Sequence, residues 1–221
     1  GNMLYPLASN GGLGQTDILT GIEGIGGEKA AWFWFGVQNL GGDVFHQIPL
    51  SPEIPVNELG TLYFRIWQSV KDLNWHVMIS KVTAGEEPQN TAIYGNQAAI
   101  LRYNQMEPEG SLYAYGGGYL LPQPLFSPEP GNWYEYWIIL DNAYDEEDPS
   151  DAGGYFIYRK GPDEPRATLM VWGTDQPRSK LPMRNPTVAS LKSIVLLQKE
   201  VDGQNTWVID DIYQAEGACL S

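Results

Sequence analysis

The chain of 221 residues carries 27 acidic against 13 basic side chains, a net charge of −14. It shows no basic stripe of the kind that holds phosphate backbones, which excludes nucleic acid as a partner. A hydrophobic fraction of 43% with 12% aromatics is too apolar for a disordered acidic tail, and no run is long and uncharged enough to insert in a membrane as a helix.

Apolar residues alternate with polar ones in short runs closed by Gly, Pro, Asn or Asp, the pattern of β-strands. In chain order the runs are Ala31 to Val37, Thr61 to Val70, Trp75 to Val82, Ala98 to Tyr103 and Ser111 to Tyr115. They continue with Trp133 to Leu140, Tyr155 to Lys160, Thr168 to Trp172, Leu191 to Gln198 and Thr206 to Tyr213. Turn signals such as Gly116-Gly117-Gly118 and Pro128-Glu129-Pro130-Gly131 lie between them, and prolines at 122, 124, 128, 130, 149, 162, 165, 177, 182 and 186 forbid long helices in the second half. About ten strands without intervening helices predict an all-β chain, folded as a two-sheet antiparallel sandwich or a barrel. The acidic run Asp145 to Asp151 joins two strong strands at a hairpin's distance, so a single domain over 1–221 is expected. Cys219 is the one cysteine, which leaves no internal disulfide. Gly1-Asn2-Met3 lacks the pattern of a signal peptide and reads as the start of a domain excised from a larger protein.

Strand alternation sorts the candidate site residues. In Thr61 to Gln68, Leu62, Phe64 and Ile66 share one face and Tyr63, Arg65 and Trp67 the other. The aliphatic face belongs in the core. The aromatic, arginine, aromatic row has the composition of a sugar site, where flat rings stack on a pyranose and a guanidinium binds hydroxyls; alternatively Trp67 covers the sheet edge. A simple hairpin through Lys71 to Asn74 places His76 beside this row, as a base, a hydrogen-bond donor or an ordinary surface residue. In Asn132 to Asn142, Trp133, Glu135, Trp137, Ile139 and Asp141 share a face. Glu135 beside tryptophans fits either a sugar-binding row or the acid or nucleophile of a glycosidase. A glycosidase needs two carboxylates across the scissile bond, and no second strand offers a matching one, so binding is preferred.

Three segments, Gly60 to Trp67, Asn132 to Asn142 followed by Gly154 to Tyr158, and the closing Trp207-Val208-Ile209-Asp210-Asp211-Ile212-Tyr213, resemble the concanavalin A-like, laminin-G-like jelly rolls of secreted bacterial proteins that bind or process polysaccharides. The resemblance implies an extracellular or cell-surface setting and a polysaccharide or oligosaccharide partner, bound through Tyr63, Arg65, Trp67, His76, Glu135 and Trp137. It also implies a calcium ion tying the first strand to the last, held by Glu23 and Asp210, with Glu28 and Asp211 as alternatives. The acidic stretch Asp141 to Asp151 is a second metal candidate. Laminarinase-type hydrolases of this fold carry Glu-x-Asp-x-x-Glu, and Glu146 to Asp151 departs from it at the last position and contains Pro149. Alginate lyases of this fold use His, Tyr, Arg and Gln or Asn, residue types present in Phe45-His46-Gln47 and Arg102-Tyr103-Asn104-Gln105 but in a different order. Three functions therefore stand: a non-catalytic carbohydrate-binding domain, a jelly-roll lyase or hydrolase, and a structural or adhesive module.

Overall fold

The computed structural model describes residues 2–3, 8–10, 15–19, 32–36, 44–83, 96–104, 110–116, 119–120, 125–144, 153–171, 179–184, 189–199 and 206–220. Its strands, in chain order, are β1 (Asn2–Met3), β2 (Ala8–Asn10), β3 (Gln15–Leu19), β4 (Trp32–Gly36), β5 (Val44–Ile54), β6 (Leu59–Gln68), β7 (Trp75–Ser80) and β8 (Gln97–Asn104). The second half adds β9 (Ser111–Gly116), β10 (Tyr119–Leu120), β11 (Trp133–Asp141), β12 (Gly154–Lys160), β13 (Thr168–Leu169), β14 (Leu181–Pro182), β15 (Leu191–Gln198) and β16 (Thr206–Glu216). They form two antiparallel sheets. The first runs β13-β12-β11-β6-β16-β4-β3, with β1 on β16 and β14 on β12; the second runs β10-β9-β8-β7-β15-β5-β2.

The period of two decides which side chains meet between the sheets. From the first sheet come Leu62, Phe64 and Ile66 of β6, Tyr136, Ile138 and Leu140 of β11, and Ile209 of β16; Trp75, Val77 and Ile79 of β7 and Ile194 and Leu196 of β15 answer from the second. All are buried. At one end of this core Trp75 and Trp207 stack across the gap, with ring centres 5.2 Å apart and planes 16° from parallel. Tyr103 extends the stack at 5.4 Å from Trp75. Each indole N–H is satisfied by a glutamine of the opposite sheet: Trp75 Nε1 donates to Gln68 Oε1 of β6 at 3.3 Å, and Trp207 Nε1 donates to Gln198 Oε1 of β15 at 2.8 Å. A buried indole needs such a partner, and here the partners also link the sheets.

Two expectations change. The alternation of Thr61 to Val70 and Trp75 to Val82 predicts a hairpin, but β6 lies in the first sheet and β7 in the second. The reason is Leu73, which is completely buried. It draws the connection into the core instead of outward as a turn. The long strand β5 was not expected because Pro49 and Pro52 interrupt its pattern; the ladder accommodates them with a register shift between Leu191 and Ser193 of β15, opposite that stretch.

The pairing of β11 with β12, from Asp141 opposite Gly154 to Glu135 opposite Lys160, follows the predicted hairpin. The glycine before β12 is required by space. A Cβ at Gly153 would stand 2.1 Å from the Asp141 carbonyl oxygen. Beyond the end of β11, the buried Asn142 donates from Nδ2 to the carbonyls of Ile54, Pro55 and Ala189 at 3.2, 2.9 and 3.0 Å, clasping three distant segments.

Trp207→Phe removes the donor to Gln198 and leaves a small void in the stack. A loss of about 2–4 kcal/mol in urea unfolding is expected, from an orphaned buried acceptor plus a cavity; an unchanged midpoint would show that the indole bond contributes nothing.

Candidate functional site: an aromatic face around a paired arginine

The core-facing residues of β6, β11 and β16 leave the alternate set on the outer face of the first sheet. Register aligns that set in rows. Trp133 lies opposite Trp67 and Trp67 opposite Val208; Glu135 lies opposite Arg65 and Arg65 opposite Asp210; Trp137 lies opposite Tyr63 and Tyr63 opposite Tyr213. Lys160 and Tyr158 of β12 extend the second and third rows beyond Glu135 and Trp137. Two aromatic rows therefore flank a charged one.

The charged row is closed on itself. Arg65, only 8% exposed, places Nη2 at 2.6 Å from Asp210 Oδ2 and Nε at 2.9 Å from Asp211 Oδ2. Two consecutive residues of β16 reach one arginine because the register slips between Asp210 and Tyr213, a β-bulge in which Asp211 takes a left-handed φ of 49°. Aspartate tolerates that conformation better than most residues. Burial works to lower the basicity of the guanidinium, but the Asp210 hydrogen bond and both carboxylates outweigh it and hold Arg65 above its ordinary range. Its carbon also lies 5.0 Å from the centre of the Trp133 ring, a cation–π distance.

Glu135 is held in the same way. Tyr63 donates its hydroxyl to Glu135 Oε2 at 3.1 Å, and Lys160 Nζ donates to Oε1 at 2.8 Å. Burial, then the charge of Glu135 and the hydrogen bond to it, push the Tyr63 phenol upward, so it stays protonated. The Tyr63 ring packs 5.0 Å from Trp137 and 6.0 Å from Tyr213, centre to centre. A groove of about 420 Å³ opens here, bordered by Thr61, Tyr63, Glu135, Trp137, Tyr213 and Cys219. Such a groove can offer ring faces and hydroxyl or carboxylate acceptors to a ligand. It offers no carboxylate free of a cation: among the described residues, Glu135, Asp210 and Asp211 are all ion-paired.

The face unites five of the six residues expected to bind. Tyr63 and Trp67 are partly exposed and Glu135 likewise, whereas Trp137, at 7% exposure, supports the ring of Tyr63 from beneath. His76 is not among them. It belongs to the second sheet, is fully buried, and lies 3.3 Å from Asn74 Oδ1 through Nε2; the hairpin that would have carried it to Tyr63 does not exist. Trp133 and Tyr213 complete the face without having been singled out. Trp133 was legible from its parity with Glu135, but the β16 bulge that aligns Tyr213 with Tyr63 leaves no mark in the alternation.

The calcium expectation falls partly outside the described residues, since Glu23 and Glu28 are not among them. Asp210 does not fit the ion by itself. It is 1% exposed and its charge is met by Arg65, so a cation on the same carboxylate would face a guanidinium. Among the described residues no three His, Cys, Asp or Glu side chains converge as a metal site. Of the acidic stretch Asp141 to Asp151, residues 145–151 are likewise outside the description.

No protein-family model matches the chain, and no curated protein sequence does. Solved structures do. A sialidase matches with a TM-score of 0.53 at 10% identity, over 85% of this chain but 16% of its own. The marine PL-14 alginate lyase from Aplysia kurodai matches with a TM-score of 0.53 at 10% identity, over 86% of this chain and 83% of its own. The carbohydrate recognition domain of Emp47p gives a TM-score of 0.46 at 9% identity over 85% of this chain and 89% of its own. The fold is a concanavalin A-like jelly roll. Within this jelly roll the chain spans about a sixth of the sialidase, and identities this low describe backbone architecture alone.

Arg65→Met strands the Asp210 carboxylate in a buried site. A loss of about 3–5 kcal/mol is expected by chemical denaturation, largely recovered in Arg65→Met with Asp210→Leu. If the double variant were no more stable than the single one, the pair would not be the unit that matters.

Proposed function

We propose that the outer face of the first sheet binds a carbohydrate chain without cleaving it. The observation that carries this reading is the groove at Tyr63, Trp137 and Tyr213, where aromatic rings border polar atoms of Thr61 and Glu135, with the partly exposed Trp67 one row away from Arg65. Flat apolar ring faces beside fixed acceptors suit a pyranose, which has an apolar face and a hydroxyl rim. The fold is one that an alginate lyase and a sialidase also use, which supports a carbohydrate ligand. Against a glycosidase on this face stands the occupancy of its acids: Glu135 accepts from Tyr63 and Lys160, so it is poised neither to protonate a leaving group nor to attack. An extracellular or cell-surface protein is the setting we infer for such a module.

Trp67→Ala should weaken binding about tenfold or more, since stacking one ring on an indole contributes roughly 1–3 kcal/mol. Affinity electrophoresis against a panel of soluble polysaccharides reads this, with circular dichroism to confirm the fold. If the wild-type chain were retarded by none of them, the face would be a packing surface and the adhesive or structural role would gain.

The calcium ion expected at Glu23 and Asp210 is proposed on the resemblance alone, and with Arg65 already meeting the charge of Asp210 it would be held by other oxygens. Adding calcium to metal-stripped protein should raise its Tm, because an ion bound only by the native state stabilises it by mass action. An unchanged Tm would overturn the calcium proposal.

A further inference from the structure

The three rows on the outer face of the first sheet have a fixed spacing, and that spacing selects a length of ligand. Tyr63 and Trp67 are four residues apart on β6 and Trp137 and Trp133 four apart on β11, so at about 3.4 Å per residue the aromatic rows stand roughly 13 Å apart. One pyranose ring covers less than half of that distance. Both rows keep ring surface within reach of solvent, since Tyr63 and Tyr213 at one end and Trp67 and Trp133 at the other are half-buried. The first pair borders the groove, and the second pair lies beyond it.

Between the two aromatic rows the ion-paired row is not sealed. Lys160 and Glu135 hold their 2.8 Å pair with 31% and 29% of their side chains exposed. A carboxylate has about four acceptor positions, and at Glu135 one is taken by Tyr63 and one by Lys160. The rest can accept from sugar hydroxyls. The charge of the row also sorts ligands: Lys160 and Arg65 stand against Glu135, Asp210 and Asp211, two cations against three carboxylates. The groove adjoins a second hollow of about 590 Å³, which shares Gln214 and Ala215 with it and is bordered by Glu53, Glu58 and Glu216. Among the described residues no lysine or arginine lines either one. A uronate or sulfate placed there would meet surplus negative charge within the screening length of about 8–10 Å, while both cations of the row are already paired.

We propose, resting on the reading that this face binds carbohydrate, that its ligand is an uncharged linear glycan at least three units long, lying along the strands of the first sheet. One ring stacks at Tyr63 and Tyr213, another at Trp67 and Trp133, and the intervening unit lies over Glu135 and Lys160. Trp67 and Trp133 are then the residues that select chain length. A disaccharide fills the groove and leaves the second aromatic row unused, whereas an extended chain stacks on both rows.

The test compares laminarin, lichenan and glucomannan with the anionic alginate and polygalacturonate by affinity electrophoresis. The neutral polymer most retarded is then hydrolysed to a ladder of oligosaccharides, from dimer to hexamer, for isothermal titration. Affinity should rise about tenfold or more between dimer and tetramer. Trp67→Ala, with its fold checked by circular dichroism, should remove that rise and leave the affinity of the dimer as in the wild type, because the dimer never reaches the second row. Equal affinity at every length, or a Trp67→Ala that weakens dimer and tetramer alike, would overturn the length assignment and leave the carbohydrate reading standing. Retardation by alginate or polygalacturonate and by no neutral polymer would overturn the uncharged ligand, again without touching that reading. Retardation by none of the five would overturn both.

Discussion

Two indoles, Trp75 and Trp207, stand face to face in the gap between the sheets, each tethered by its N–H to a glutamine of the sheet it does not belong to. That reciprocal arrangement fixes how the sheets sit against each other, because neither indole can shift along its strand without leaving a buried acceptor unpaired. With β6 and β16 held by Gln68 and Trp207, alternation then forces Tyr63, Arg65, Trp67 and Asp210 to the outside. The outer face of the first sheet is thus a consequence of what its strands bury.

On that face, charge is contained. A lone guanidinium in an aromatic surface would demand an external anion, but the β16 bulge brings two carboxylates to Arg65, and Lys160 does the same for Glu135. The rings around them are left as the chemically available surface. The second sheet inverts this arrangement. There a buried apolar cluster of Met78, Ile100, Val195 and Leu197 takes the place of the exposed rings. The two outer faces of one sandwich therefore differ, one ring-rich and internally neutralised, the other built over a buried apolar cluster.

Much of this was legible in the sequence, for a physical reason: period-two alternation is a local property. The core faces of β6, β7 and β11, the hairpin of β11 with β12, and the co-location of Tyr63, Arg65 and Trp67 all follow from parity within one strand or across one short connection. What could not be read were decisions taken between strands. Leu73 gives no local sign that it will carry the chain across the sandwich, and so His76 was assigned to the wrong sheet. The slip between Asp210 and Tyr213 depends on the ion pairs it makes possible with an arginine 145 residues away. Asn142 reads as a turn residue after a strand, yet it is buried and clasps Ile54, Pro55 and Ala189.

The position of β16 bears on the order of assembly. Among the described strands it comes last in the chain, yet it lies inside the first sheet, between β6 and β4, and also pairs with β1, setting Asn2 opposite Gln214. Until it emerges during synthesis, β6 has an open edge, Trp75 lacks the ring of Trp207, and Arg65 lacks both its carboxylates. Closing such long loops costs chain entropy before any contact rewards it, so folding is slow and completes late. A nascent chain stopped short of residue 206 carries the aromatic strand β6 with a free hydrogen-bonding edge, the feature that invites pairing with another chain.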